Sequence, residues 1–266
     1  MDTKTRKAVV IFQGILYNYE GNLIPFGQLL IHDFIAERLC TRDRVRNQNH
    51  KSCYMQTGMK RGEDMIAVID YDAGNLRSVE KALLSLGERV VITRDFQTIL
   101  SADKVILPGV GAFGDAMAQL CQYGLVDVIH QVVDQNIPFL GICLGLQLMF
   151  ESSEECEGVK GLGLLKGKIL KIPQCQGLKI PHMGWNSLEI NPKSKLFTGI
   201  LSGAYVYFVH SYYLKAEEES VVAASTEYST HIHAAVEKGN LFGCQFHPEK
   251  SGDVGLKILE NFVRLE

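Results

Sequence analysis

Residues 139–150 decide the fold, and they read Phe139-Leu-Gly-Ile-Cys143-Leu-Gly-Leu-Gln-Leu-Met-Phe150. The apolar run before Cys143 predicts a buried strand, and the leucines after it predict a helix that begins at once. A glycine stands two residues before Cys143 and another two residues after it, because so sharp a turn strains the central residue and leaves no room for neighbouring Cβ atoms. Such an elbow predicts an exposed nucleophilic sulfur at the carboxyl end of the strand, above a helix N-terminus whose dipole favours a thiolate.

Short apolar runs alternate with helical patterns on both sides of this elbow. Strands are predicted at residues 65–70, 89–92, 104–107 and 138–142, and helices at residues 75–86, 112–120, 125–133 and 144–151. Further strands are predicted at residues 166–172, 187–190, 205–209, 221–225, 233–237 and 241–245, before a last helix at residues 255–264. This order predicts a three-layer α/β fold, with a mainly parallel sheet flanked by helices and a strand-rich C-terminal part.

The first 64 residues differ from the rest of the chain. They are slightly basic, whereas residues 65–266 are acidic, and the polar segments at 42–49 and 58–64 are typical of a linker. The first predicted strand opens at Met65, so we expect the domain to comprise residues 65–266. Residues 1–64 are interpreted as an N-terminal extension of unknown role, either a disordered appendage or an artefact of a start codon assigned too far upstream. The alternative is a small partner-binding element at residues 31–39.

Charge and hydropathy exclude several classes of protein. The 266 residues carry a formal net charge of −3, which gives no electrostatic footprint for nucleic acid. No apolar run reaches the roughly 20 residues of a membrane-spanning helix, and the N-terminus lacks a convincing signal-peptide cleavage site. We therefore expect a cytoplasmic protein that binds neither nucleic acid nor a membrane.

Cysteine and histidine spacing gives no sign of a metal site. The seven cysteines are odd in number and never spaced as C-x-x-C, so neither a disulfide framework nor a zinc site is indicated. His231 and His233 have no Cys or carboxylate at ligand spacing, and we expect them to decorate one face of an exposed strand. No metal and no cofactor are predicted.

A cysteine nucleophile needs a base, and the segment Gln245-Phe-His-Pro-Glu-Lys250 offers one. Pro248 fixes its own φ and keeps His247 out of the helical region. The segment is predicted to stay extended, so side chains two residues apart point the same way and Glu249 can accept a hydrogen bond from His247. Such a pair fixes the tautomer of the imidazole and stabilises the imidazolium, as the acid and histidine of a hydrolase triad do.

Two donors for a developing oxyanion are predicted beside Cys143. One is the backbone N–H of Leu144 at the elbow, and the other comes from Val110 or Gly111 in the segment Leu107-Pro-Gly-Val-Gly-Ala-Phe-Gly114. This segment also fits G-x-G-x-x-G, a dinucleotide-binding pattern. That alternative needs an acidic residue at the end of the next strand, but the acidic candidates fall in a predicted helix, so an oxyanion loop fits better.

Five stretches of the chain carry a resemblance to a known family. They are Asp70-Tyr-Asp-Ala-Gly-Asn-Leu76, Leu107 to Gly114, Pro181-His-Met-Gly-Trp-Asn186, Tyr207-Phe-Val-His-Ser-Tyr212 and Gly243 to Ser251. Together with the elbow they resemble the class I, triad-type glutamine amidotransferases over residues 65–266, and are most similar to the glutaminase subunits of imidazole glycerol phosphate synthases. Two features depart from the family pattern: Asp72 stands where a small residue is usual, and family members usually begin at the position of Met65.

The resemblance implies a reaction and a partner. Cys143 would attack the carboxamide carbon of glutamine, with His247 as acid and base and Glu249 as its orienter. The family match assigns the binding of glutamine to Gln147, His210, Ser211 and Tyr212. The ammonia would pass to a barrel-shaped cyclase subunit in a heterodimer, which makes imidazole glycerol phosphate and an aminoimidazole carboxamide ribonucleotide in histidine biosynthesis.

The family match also indicates a partner interface. Its members are Asn75, Trp185 and Tyr207, with a core position as the alternative for Trp185. Val110 lies between two glycines, where a peptide rotates at low steric cost, so one oxyanion donor is expected to point away until the partner docks. Three other functions stay open: a catalytically idle binding subunit, a redox or peptidase-type cysteine enzyme, and an amidotransferase for another acceptor, such as a surface-sugar pathway.

Overall fold

A computed structural model describes residues 64–265 and two short strands, β1 (Val10–Phe12) and β2 (Ile15–Tyr17). The chain divides into two compact units, Met1–Met59 and Lys60–Glu266. In the first unit, β1 and β2 pair as an antiparallel hairpin. The interpretation of residues 1–64 as an appendage, and the alternative of a partner-binding element at residues 31–39, otherwise concern residues outside the described part of the chain.

The second unit alternates strands and helices and then becomes rich in strands. Its strands are β3 (Met65–Ile69), β4 (Arg89–Thr93), β5 (Lys104–Gly109), β6 (Phe139–Cys143), β7 (Ser152–Ser153), β8 (Gly167–Lys171), β9 (His182–Ser187), β10 (Glu189–Ile190), β11 (Tyr205–His210), β12 (Tyr212–Ala216), β13 (Val222–Glu227), β14 (His231–Lys238) and β15 (Leu241–Cys244). Its α-helices are α1 (Leu76–Ser85), α2 (Phe96–Leu100), α3 (Phe113–Gln122), α4 (Leu125–Asp134), α5 (Leu144–Leu148) and α6 (Gly252–Val263).

A central sheet has the strand order β10-β13-β14-β15-β6-β5-β3-β4. The five strands from β15 to β4 run parallel to their neighbours. The other three add antiparallel at one edge. The carboxyl ends of the parallel strands meet at one edge of the sheet, where ligands bind in open α/β sheets.

Alternate side chains of each central strand enter two separate apolar cores. Ala67 and Ile69 of β3 pack in the same core as residues of α3 and α4. Ile66 and Val68 face the opposite way and share a core with residues of α1 and α6. Because a strand buried on both faces must be apolar at every position, the runs in the sequence lack alternation. The predicted three-layer α/β fold is confirmed.

Two predicted elements differ in the structure. The helix predicted at residues 144–151 ends at Leu148, because the carbonyl groups of residues 148–151 accept hydrogen bonds from the backbone of residues 161–165. The strand predicted at 187–190 is replaced by β9 and the short β10. The polar segment of β9 becomes extended by pairing antiparallel with β11 along its whole length, and this partner is not visible in local periodicity.

Two smaller sheets complete the second unit. The strands β9 and β11 form a two-stranded ribbon, and β7, β8 and β12 form a three-stranded sheet. Within residues 64–265, no helix has both the length and the apolar character needed to cross a bilayer.

Candidate active site

The turn between β6 and α5 has the strained geometry that the sequence predicts. Cys143 adopts φ 54° and ψ −106°, and α5 begins at the next residue. A Cβ on Gly145 would lie 1.7 Å from the carbonyl oxygen of Leu107, and a Cβ on Gly141 would lie 2.7 Å from the backbone nitrogen of Leu146. Both glycines are therefore required by direct backbone contact.

The predicted exposure of the sulfur is wrong. Cys143 is only 6% exposed, because residues from two other strands lie against it. Its Sγ is 4.0 Å from the carbonyl oxygen of Val209 in β11 and 3.7 Å from Nε2 of Gln245, which follows β15.

His247 and Glu249 form a buried pair. Nδ1 of His247 lies 2.8 Å from Oε1 of Glu249, and both side chains are fully buried. His247 is extended, as predicted, but the chain then enters a 3-10 turn at Pro248–Lys250 rather than staying extended. Proline suits the first position of such a turn because its fixed φ is helical and no N–H is needed there. Oε1 of Glu249 also accepts a hydrogen bond from Nδ2 of Asn75 at 2.5 Å.

The surroundings of His247 favour its protonated form. Burial by itself lowers the pKa of His247. The negative charge and nearness of the Cys143 sulfur, together with the Glu249 carboxylate, outweigh burial and raise the pKa to about 10. Within the described residues Nε2 of His247 has no formed hydrogen bond. That nitrogen is available to donate a proton to a group bound at Cys143.

The loop after β5 is anchored at its base and open at its tip. Gly109 is the register partner of Cys143 across the parallel pair β5–β6, so Val110 and Gly111 follow directly beside the elbow. The hydroxyl of the buried Tyr71 donates to the carbonyl oxygen of Pro108 at 2.9 Å. Beyond that anchor, Val110 is 40% exposed and Gly111 adopts φ 117°, a conformation that favours glycine.

Four residues assigned to glutamine binding lie around α5 and the β11–β12 turn. Nε2 of the buried Gln147 donates to the carbonyl oxygen of Tyr212 at 3.0 Å. Nδ1 of His210 donates to the same carbonyl at 2.8 Å, and Nε2 of His210 lies 3.1 Å from Nδ1 of His182. Both ring nitrogens of His210 are thus engaged within the protein, while Ser211 and Tyr212 are half-buried.

The three candidate interface residues differ in exposure. Trp185 is 55% exposed, which places it at the surface rather than in the core. Its ring meets that of Tyr207 edge to face with centroids 6.1 Å apart, and the two residues pair across β9 and β11. The carbonyl oxygen of Tyr207 accepts from the backbone nitrogen of His247 at 2.9 Å. Asn75 lies deeper, on Glu249.

His231 and His233 differ in exposure. His231 is exposed and pairs with Glu227, whereas the expectation of an exposed His233 is wrong. His233 is buried because its Nδ1 accepts from the backbone nitrogen of Ala216 at 3.1 Å, a contact with the three-stranded sheet. Over the described part of the chain, His, Cys, Asp and Glu side chains form no group of three or more that could hold a metal ion.

Three residues of the site were missed by sequence reasoning. Tyr71 anchors the loop, and Gln245 contacts the sulfur. The hydroxyl of Ser251 donates to the carbonyl oxygen of His247 at 2.7 Å and accepts from the backbone nitrogen of Tyr207 at 2.9 Å. Only Gln245 carried a usable signal, because residues 245 and 247 lie two apart in an extended segment and so share a face.

Several known proteins are similar to this chain in sequence. A model of the family described as glutamine amidotransferase class-I matches residues 67–265. The imidazole glycerol phosphate synthase subunit HisH of Methanocaldococcus jannaschii is 51% identical over 201 residues, which cover 76% of this chain and 100% of that protein. The HisH subunit of Moorella thermoacetica is 53% identical over 200 residues, covering 75% of this chain and 94% of that protein.

A solved structure shares the fold at much lower identity. A chain of PurLQS from Thermotoga maritima superposes with a TM-score of 0.58 at 21% identity, covering 76% of this chain and 98% of that chain. This likeness concerns the fold alone. The matches in sequence are far stronger, and the family model covers residues 67–265 of the second unit. The chain therefore belongs to the class-I glutamine amidotransferase family and, within it, to the HisH subunits of imidazole glycerol phosphate synthase.

Proposed function

We propose that this chain is the glutaminase subunit of imidazole glycerol phosphate synthase and supplies ammonia to a cyclase subunit in histidine biosynthesis. The observation that carries the proposal is the meeting of a strained Cys143 with the buried pair of His247 and Glu249 at the carboxyl edge of the sheet. Sequence identities of 51% and 53% to HisH subunits support the choice of acceptor pathway.

The proposed reaction has two halves. The Cys143 thiolate attacks the carboxamide carbon of glutamine, and the tetrahedral oxyanion accepts hydrogen bonds from the backbone of Leu144 and of the Val110–Gly111 loop. Nε2 of His247, protonated at neutral pH because its pKa is raised to about 10, gives its proton to the departing ammonia. His247, now neutral, takes a proton from water as the water attacks the thioester, and glutamate leaves.

Glu249 acts through His247 rather than on the substrate. Its Oε1 accepts from Nδ1 of His247 at 2.8 Å, which fixes the ring and directs Nε2 towards Cys143. Asn75 holds the same oxygen from the other side. Asn75 therefore supports the orientation of Glu249 in addition to its proposed place near the interface.

The proposed cyclase interface lies on the ribbon formed by β9 and β11. Met183, Trp185 and Tyr205 expose large apolar side chains there, and their register puts them with Tyr207 on one face. A cluster of exposed apolar residues is typical of an interaction surface. The hydrogen bond from His247 to the Tyr207 carbonyl links this surface directly to the proposed base.

Transfer of labelled nitrogen tests the proposal. The full chain is mixed with a purified cyclase subunit, its nucleotide substrate and glutamine that carries ¹⁵N in the side-chain amide. We expect the label in imidazole glycerol phosphate, even when unlabelled ammonium is added at a concentration equal to that of glutamine. Label that appears only as free ammonium, or in no product, would refute the proposed function.

A further inference from the structure

Besides the Val209 carbonyl oxygen, which can only accept, the sulfur of Cys143 has a polar neighbour that can donate. Nε2 of Gln245 lies 3.7 Å from Sγ, within the range of an N–H···S hydrogen bond, and the Gln245 side chain is completely buried. Nothing in the proposed reaction uses this amide. A buried polar group costs free energy unless it is hydrogen-bonded.

The backbone carbonyl of Tyr212 determines the orientation of the Gln245 amide. The backbone oxygen of Tyr212 can only accept hydrogen bonds, so Gln147, 3.0 Å away, must present its NH₂ group to it. The same NH₂ group lies 3.0 Å from Oε1 of Gln245. The oxygen of Gln245 is therefore fixed towards Gln147, and its NH₂ group must face Cys143.

A neutral histidine pair fixes the far end of this chain of hydrogen bonds. Burial lowers the pKa of His210 to about 3, so its ring is neutral at physiological pH. Nδ1 of His210 carries the proton because it faces the Tyr212 oxygen at 2.8 Å. The stacking of His182 between the rings of Phe208 and Tyr228 holds the partner of His210 in place. His210 and Gln147 therefore both donate to the Tyr212 carbonyl, and from Gln147 the donors run on through Gln245 to the sulfur.

We propose that Gln245 stabilises the ionised sulfur of Cys143 by donating an N–H···S hydrogen bond, and that Gln147 is the positioning residue that holds the Gln245 amide in this orientation. The inference rests on the proposed role of Cys143 as nucleophile. The sulfur then lies between two donors, the imidazolium of His247 and the amide of Gln245. Hydrogen bonds to charged groups are worth more than those between neutral groups.

The other titratable groups near the sulfur do not replace this donor. Burial raises the pKa of the Tyr71 hydroxyl, and the same cause raises the pKa of the Cys244 thiol. Both groups stay neutral at physiological pH, and the Tyr71 hydroxyl is already committed to the Pro108 carbonyl. Among the described residues, Gln245 is thus the side chain that donates a formed hydrogen bond to the sulfur of Cys143.

Alkylation of Cys143 by iodoacetamide tests the inference without glutamine. The full chain is labelled over a range of pH, and modification of the Cys143 peptide is followed by mass spectrometry, with the exposed Cys121 and Cys175 as internal references. Replacement of Gln245 by Met should move the rising limb of the Cys143 labelling profile to higher pH, so that labelling on that limb slows about tenfold, as expected for the loss of one charge-assisted hydrogen bond. At a pH that ionises every accessible thiol, we expect the two rates to agree within about twofold.

Two further variants separate this role from a purely structural one. Gln245→Asn keeps an amide but withdraws it by one methylene, so it should move the rising limb of the labelling profile in the same direction. Gln131→Met, an exposed glutamine of α4, is the matched control and should behave as wild type. In the glutaminase assay with cyclase, Gln245→Asn should lower kcat with little change in KM.

The outcomes are distinct from those of the proposed function. Labelling of Cys143 in folded Gln245→Met and Gln245→Asn with the wild-type pH profile would overturn the inference while leaving Cys143 as nucleophile. A uniform slowing at every pH would also overturn it, because that pattern reports blocked access rather than lost thiolate. Failure of nitrogen transfer in the wild-type enzyme would instead overturn the proposed function.

Discussion

At the scale of single residues, the site is a set of charges and dipoles directed at one sulfur. His247 would lose its proton easily if burial acted alone, but Cys143 and Glu249 reverse that effect. Protonated His247 stabilises the folded state. This contribution is fully present below the ordinary histidine pKa of 6.5 and is lost as the pH rises through about 10. The resting site is thus set to give a proton first and to accept one later, which is the order that the two halves of the reaction need.

Histidine NMR measures this charge directly. We expect the ring of His247 to titrate with a midpoint near pH 10, since the pKa is raised to about 10. Cys143→Ala removes the largest influence that raises this pKa and should move the midpoint down towards the ordinary histidine range. Cys121→Ala, at an exposed cysteine, is the control and should leave it in place. A wild-type midpoint near 6.5 would show that no such ion pair exists.

Asp72 has a defined role in the structure. Its backbone is in the left-handed region with φ 64°. Arg94 bridges Asp72 and Asp70 at 2.6 Å and 3.0 Å, and its guanidinium lies over the ring of Tyr123, whose hydroxyl also donates to Asp72. Hydrogen bonds from Arg94 and Tyr123 lower the pKa of Asp72. This cluster holds the turn that precedes Asn75 and α1.

At the scale of elements, the elbow depends on backbone contacts that tolerate no Cβ. Gly145→Ala should destabilise the protein by at least about 3 kcal/mol, because its Cβ would lie 1.7 Å from the Leu107 carbonyl oxygen. Gly158→Ala is the matched control, since its Cβ meets nothing within 4 Å and its φ of +82° costs about 1 kcal/mol. Urea unfolding measures the free energy of unfolding of both variants. Equal losses of stability would refute the close approach of the Leu107 carbonyl oxygen to Gly145.

The loop between β5 and α3 is the element most suited to switching. It is pinned at Pro108 by Tyr71, and the peptide between Gly109 and Gly111 can rotate at low steric cost. We predict that glutamate release by the isolated chain rises by at least about a hundredfold when cyclase and its nucleotide ligand are added, a shift of a few kcal/mol. Equal rates with and without the partner would mean that the oxyanion hole is preformed.

At the scale of the whole molecule, the sequence predicted the fold and the elbow because both depend on local patterns. Apolar runs, helical spacing and the glycines around Cys143 are each visible within about a dozen residues. The burial of the sulfur was not predictable, since it depends on Val209 and Gln245, which lie 66 and 102 positions away. The contact between Tyr71 and Pro108 likewise joins segments that lie 37 positions apart.

Residues 1–64 are predicted to be dispensable for the glutaminase unit. A truncated protein that starts at Met65 should fold and release glutamate with cyclase at the rate of the full chain. The backbone nitrogen of Met65 donates to Asp103 at 2.7 Å, and a free amino group at that position could make the same contact with a positive charge. Comparison of thermal unfolding and of glutamate release tests this. Loss of solubility or of activity on truncation would contradict it.

The role of Cys143 as nucleophile is tested most directly by glutamate release from the Cys143→Ala variant in the presence of cyclase and its nucleotide substrate. We expect no detectable glutamate, because Cys143 is the proposed nucleophile beside His247. The variant should keep the wild-type fold, since a small apolar side chain replaces a small one. The cyclase mixed with the variant should still form imidazole glycerol phosphate from added ammonium. Glutamate release by Cys143→Ala at a substantial fraction of the wild-type rate would show that Cys143 is not the nucleophile.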